Sequence, residues 1–87
     1  MMRVVEFESR ALQDLEWLTS NEQRFAVKAL KLVDLLAHTP FENADKPEPL
    51  KGNLSGYWSR RINSEHRLLY AVTETTICVI ASRGRYD

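Results

Sequence analysis

Apolar residues recur along this chain with two different periods, and the change from one to the other divides it. Residues 2–7 (Met-Arg-Val-Val-Glu-Phe) form a short β-branched run that reads as a strand, and Ser9 behind it is a candidate helix cap. Ala11, Leu12, Leu15 and Leu18 then repeat at the spacing of a helix that buries one stripe. Ser20-Asn21-Glu22-Gln23 matches the Ser-x-x-Gln capping box and predicts the start of a second helix. There Phe25, Ala29, Leu32 and Leu36 make the stripe and Leu30, Val33 and Ala37 widen it, until Pro40 restricts Thr39 and ends the helix. Two helices joined this closely predict an antiparallel hairpin.

Beyond Pro40 the period changes. Residues 41–46 are polar and loop-like, and Pro47 and Pro49 hold the segment around Glu48 extended, because each fixes φ and biases its predecessor away from helix. Turn residues at 53–56 lead into three strand-like runs, 57–63, 66–72 and 76–82, joined by Asn63-Ser64-Glu65 and Thr73-Glu74-Thr75. The expectation is one domain over residues 1–87, without repeats. Its architecture is α+β: an N-terminal strand, a two-helix hairpin, then an antiparallel sheet with the helices on one face.

The register of the first hairpin decides what its arginines do. A loop of residues 63–65 sets Arg61 opposite Arg67, with Ser59, Leu69 and Ala71 on their face, while Trp58, Ile62, Leu68, Tyr70 and Val72 turn to the helices as core. A two-residue loop pairs Arg60 with Arg67 instead, and both registers stay open at this level. Two like charges directly opposed on a sheet are unfavourable unless an anion lies between them. Cys78, between Ile77 and Val79, reads as a small buried apolar residue, and His66, flanking a turn, reads as a surface or packing histidine before a catalyst.

Composition narrows the function classes. Apolar content of 44% and charged content of 28% are those of an ordinary globular domain, one small enough to gain from a partner. No run approaches the roughly 20 apolar residues of a membrane span. The start of the chain lacks a basic stretch followed by an apolar run, and the single Cys78 has no partner for an internal disulfide, so a reducing cytoplasm is the expected home and a membrane is not an expected partner. The net charge of zero hides an asymmetry: residues 1–45 carry five Lys/Arg against eight Asp/Glu, and residues 46–87 carry seven against four. A basic half on a neutral chain suits a polyanion gripped at one site.

Glu48, Arg61, Arg67, Arg85 and Tyr86 concentrate in that half, with no zinc-like spacing, nucleophile elbow or phosphate-cradling glycine loop, so no metal or other cofactor is expected. A carboxylate near several guanidiniums is what cleavage of RNA by its own 2′-hydroxyl requires. That reaction needs a base to take the hydroxyl proton, cations for the pentacoordinate phosphate, and an acid for the leaving 5′-oxygen. Any one of these arginines taken alone reads as a solvated or salt-bridged surface residue before a catalytic one. Tyr57 and Tyr86 are free to stack on bases, whereas Trp58 and Tyr70 read as core.

Thr39-Pro40-Phe41-Glu42, the run from Lys46 through Pro47, Glu48, Pro49, Leu50, Lys51, Gly52, Asn53, Leu54, Ser55, Gly56, Tyr57, Trp58, Ser59, Arg60 and Arg61 to Ile62, and Glu65-His66-Arg67-Leu68-Leu69-Tyr70-Ala71-Val72 closely resemble the YoeB (Txe/YoeB) toxins of the RelE superfamily. The resemblance covers essentially the whole chain. It implies a toxin of a type II toxin–antitoxin module that cleaves mRNA in the A site of the bacterial ribosome without a metal. It also implies silencing by a YefM-like antitoxin, through which the pair meets operator DNA, and a homodimer. On this resemblance Glu48 and Arg67 match the base and the phosphate-stabilising arginine, Glu65 an active-site glutamate, and Tyr86 the terminal aromatic. Lys51 and Arg61 match basic positions near the RNA backbone. One departure stands out: Arg85 occupies the place of the family's general-acid histidine, and a guanidinium is a poor proton donor at neutral pH. Two alternatives accompany the departure: a weakly catalytic binding partner in an autorepressing toxin–antitoxin–operator complex, or a ribosome-independent nuclease.

Overall fold

The computed structural model describes residues 2–39, 48–50 and 56–84. Strand β1 (Val4–Phe7) is followed by helices α1 (Ser9–Asn21) and α2 (Gln23–His38), then by strands β2 (Glu48–Pro49), β3 (Trp58–Arg61), β4 (Arg67–Val72) and β5 (Thr76–Ala81). They form one sheet in the order β1-β5-β4-β3-β2. The expected antiparallel meander is present in β3, β4 and β5, and β2 joins it antiparallel to β3. The first strand pairs parallel to the last, Val4 beside Thr76 and Phe7 beside Val79, which makes the sheet mixed.

The helices cover one face. Ala11 from α1 and Ala29, Leu32, Val33 and Leu36 from α2 pack on Ile62, Leu68, Tyr70, Ile77 and Val79 from the sheet side, with Trp58, Val72, Val5 and Phe7 at the margin. Two small alanines where the helices meet the sheet let the layers approach closely. The stripe is narrower than the sequence suggests: Leu12 and Leu30 are exposed at 49% and 52%, because the sheet reaches only the central ridge of each helix. Cys78 is likewise corrected, since strand alternation puts Ile77 and Val79 in the core and leaves Cys78 half-buried beside Glu6. Burial and the carboxylates of Glu8 and Glu6 push its thiol above the ordinary range.

Neither expected helix cap forms. The first helix begins at Ser9 itself, with Glu8 as the cap residue, and the second begins at Gln23 after the single-residue junction Glu22, without a side-chain cap bond in either case. Ser20 stays in the last turn of α1. The carboxylate of Glu22 is engaged by His66, 44 positions along the chain, so a long-range bond replaces the local one.

Strand β5 carries an irregularity where Tyr70 pairs with Val79 but Leu69 pairs with Ala81, leaving Ile80 as an extra residue. An extra residue bends a strand and re-aims the chain beyond it. Here the chain turns toward α1, where the buried carboxylate of Asp14 accepts the Ser82 N–H at 2.9 Å. The guanidinium of Arg83 then lies 4.4 Å from the centre of the Trp17 ring.

This core sets two expected outcomes. Leu36→Ala should lower the unfolding free energy by about 2 to 5 kcal/mol, whereas Leu30→Ala should change it by no more than about 0.5 kcal/mol, as read from urea midpoints. Burial also raises the affinity of the Tyr70 phenol for its proton, offset in part by the neighbouring Arg60 guanidinium. A proton held more tightly folded than unfolded contributes stability that is complete below the ordinary phenol range and is lost as pH rises through the raised value. Stability measured above about pH 10 should therefore fall less steeply in Tyr70→Phe than in the parent chain.

Candidate active site

The face of the sheet away from the helices is organised by the β3–β4 register. Arg61 pairs with Arg67, Arg60 with Leu68 and Ser59 with Leu69, so the second arginine of the site is Arg61, and Arg60 is buried on the other face beside Tyr70. Turn chemistry fixes this register. The Asn63 side-chain oxygen accepts the N–H groups of Glu65 and His66 at 2.8 and 2.7 Å, and the Ile62 N–H closes the loop on the His66 carbonyl at 2.9 Å. A slip of one residue would break these bonds and move every side chain to the wrong face.

Arg67 is further held from the neighbouring strand, its Nε–H donating to the Ser59 hydroxyl at 3.0 Å. Arg61, Asn63, Ser64 and Arg67 line a concave pocket of about 310 Å³. Two guanidiniums facing one cavity suit a tetrahedral oxyanion, because each offers planar paired donors and neither brings an acceptor. The backbone of Glu48 pairs with Ser59, which brings the segment carrying that carboxylate to the strand that orders Arg67.

The other expected site residues are distributed unevenly. Tyr57 is half-buried just before β3, where its carbonyl accepts the Leu50 N–H at 3.0 Å and ties the β2 segment down. Glu65 is exposed in the β3–β4 turn, with its carboxylate near those of Glu22 and the ring of His66, all within 4.8 Å of one another. Lys51, Arg85 and Tyr86 lie outside the described residues. Ser59 is the functional side chain that pattern reading left without a role. The face assignment already set it beside Arg67, and a hydroxyl on the same face as an arginine is the signal that was available.

Glu22, Glu65 and His66 have the composition of a metal site, but the ring points to another use. A backbone N–H, that of Gly84, donates to Nδ1 at 3.1 Å, so the ring proton sits on Nε2 and is directed at Glu22, 2.9 Å away. A cation on Nε2 would have to displace that proton.

Residues 7–86 match the model of the YoeB-like toxins of bacterial type II toxin–antitoxin systems. The chain belongs to this family. It is 47% identical over 73 residues to Toxin YoeB of Escherichia coli strain K12, a match covering 84% of this chain and 87% of that one. Its fold is similar to that of the YoeB dimer from Staphylococcus aureus, with a TM-score of 0.86, 33% identity, and coverage of 99% of this chain and 100% of the other. The YoeB-YefM complex from the same organism gives a TM-score of 0.83 at the same identity and coverage. The YoeB-like scaffold thus sets its paired arginines on the sheet face that the helices leave open. Among the described residues no helix is long and apolar enough to cross a membrane.

Arg61 and Arg67 stand directly opposed in the β3–β4 register, and like charges so placed on a sheet are unfavourable in general. Arg61→Ser should therefore raise stability at low ionic strength, by about 0.2 to 1 kcal/mol, and the gain should shrink in concentrated salt. Urea midpoints at the two salt concentrations measure it.

Proposed function

We propose that this chain is a ribosome-dependent, metal-independent mRNA endoribonuclease that blocks translation as the toxin of a toxin–antitoxin pair. The observation that carries the reading is the in-register pair Arg61 and Arg67, with Arg67 bonded to Ser59 and the Glu48 backbone on the adjoining strand. A scissile phosphate between the two guanidiniums gains charge as it becomes pentacoordinate, and donors fixed beforehand stabilise that charge without reorganising. Glu48 takes the proton of the adjacent 2′-hydroxyl. The 2′-oxygen then attacks phosphorus and the bond to the 5′-oxygen breaks, leaving a 2′,3′-cyclic phosphate and a 5′-hydroxyl whose proton comes from the Tyr86 hydroxyl or from solvent water.

Arg85 neutralises the leaving oxygen, Tyr86 stacks on or donates to the substrate, and Glu65 flanks the site. Lys51 and Tyr57 contact the RNA backbone and a base. The A site of the bacterial ribosome supplies the mRNA in an extended, accessible form. By extension from the Staphylococcus aureus protein, which forms a dimer and a complex with YefM, the partners are a YefM-like antitoxin and a second copy of the chain. Operator DNA is reached through the antitoxin. The antitoxin covers Arg61, Arg67 and Arg85 with carboxylates, which make with guanidiniums the contacts that phosphates make.

The test is cleavage of mRNA on stalled ribosomes, run beside free RNA and duplex DNA. Glu48→Gln and Arg67→Ala should each lower the cleavage rate by at least about 100-fold while the melting temperature stays near that of the parent. Unchanged cleavage in the double variant sinks the site. Arg85→Lys should keep part of the activity and Arg85→Ala much less. The rate should also lack the loss on deprotonation that a catalytic histidine imposes near pH 6 to 7, roughly. Cutting of free RNA at the ribosomal rate would favour the ribosome-independent alternative.

A further inference from the structure

A second tightly bonded cluster lies where the helix junction, the β3–β4 turn and the end of β5 meet. His66 at its centre is only 7% exposed, and both ring nitrogens are bonded. The N–H of Gly84 can only donate, so Nδ1 accepts and carries no proton. Nε2 carries it and donates to Glu22. The Trp17 and His66 rings meet edge to face at 5.8 Å between centroids, and the Arg83 guanidinium lies over the indole. Gly84 is held a second time: its carbonyl accepts the Arg67 N–H at 2.8 Å. Both polar groups of one residue are thus tied to two consecutive residues at the start of β4. The geometry needs φ of +95° at Gly84, a value that favours glycine. Arg85 and Tyr86 are the next residues in the chain.

We infer that His66 is a positioning residue: as the neutral Nε2–H tautomer, oriented by Glu22, it pins Gly84 and so fixes the point from which Arg85 and Tyr86 continue, relative to Arg67. The consequence for catalysis rests on the nuclease reading above, whereas the tie itself does not. A buried histidine needs partners for both nitrogens whatever its role; what singles this one out is that the Gly84 N–H and the Glu22 carboxylate fix one tautomer and tie it to the end of β5. A metal ligand would present Nε2 without its proton, against the direction that the Gly84 N–H imposes. Glu22 acts through His66 and touches no substrate in this scheme.

Two substitutions separate the ring's two bonds. The side-chain oxygen of His66→Asn reaches the place of Nδ1 and keeps an acceptor for Gly84, while His66→Gln reaches toward Nε2, keeps the link to Glu22 and gives up Gly84. In His66→Gln the Gly84 amide should exchange with solvent about tenfold faster or more, with Val79 unchanged, and single-turnover cleavage of ribosome-bound mRNA should slow by a similar factor at unaltered KM. His66→Asn should stay within about threefold of the parent in both, and Glu22→Gln, which keeps an acceptor, should do the same. Nitrogen-15 spectra of the parent chain, recorded where the imidazole is neutral, should show a bare Nδ1 and a protonated Nε2. The opposite tautomer overturns the inference even if no variant folds, and so does equal loss in both His66 variants with Gly84 exchange unchanged. A parent chain that cleaves no RNA defeats the nuclease reading, and the exchange and nitrogen-15 measurements still decide the tie.

Discussion

The opposition of Arg61 and Arg67 across β3 and β4 is the constraint around which this molecule is arranged. Two guanidiniums side by side on a sheet are unfavourable in general, and a shift of one residue in the pairing would turn every side chain of the strand to the other face. Three things forbid the shift. The Asn63 side chain holds the turn, Ile62, Leu68 and Tyr70 must face the helices, and the Ser59 hydroxyl holds Arg67 from the neighbouring strand. Core burial thus keeps in place an arrangement that the surface alone would reject. Such local cost retained at one spot is what a binding site for an opposite charge looks like.

The rest of the fold brings distant parts of the chain to this face. Parallel pairing of β1 with β5 closes the sheet at one edge, and the two-residue β2 reaches the other edge with Glu48 in it. The extra residue Ile80 turns the end of β5 back over α1, where Asp14 and Trp17 receive Ser82 and Arg83. Residues from the middle and the end of the sequence are therefore gathered around β4, whose first residue is Arg67.

Much of this was legible in the sequence because local rules and the fold agree. Both helices and the three-stranded meander came from apolar spacing and turn residues, and of the two hairpin registers left open the structure takes the one that opposes Arg61 and Arg67, with Trp58, Ile62, Leu68, Tyr70 and Val72 on the core face. The failures share one physical cause, competition from contacts far along the chain. Glu22 looks like part of a capping box until His66 claims its carboxylate, and Leu12 and Leu30 look like core until the width of the sheet is known. The mixed topology and the ties from Asp14 to Ser82 and from His66 to Gly84 have no local signature at all. The roles of Glu65 and Lys51 rested on the family resemblance, since neither spacing nor charge distinguishes them from ordinary surface residues.

The central claim is that Arg61 and Arg67 together form one seat for a phosphate. The most direct test is a titration of the folded chain with a nucleoside 3′-monophosphate, following the guanidinium Nε–H signals of each arginine by NMR. The account predicts that the signals of Arg61 and Arg67 move together along one binding curve, that Arg60 stays still, and that Ser59→Ala weakens the response of both. Movement of Arg61 without Arg67, or a response centred on other arginines with this pair silent, would contradict it.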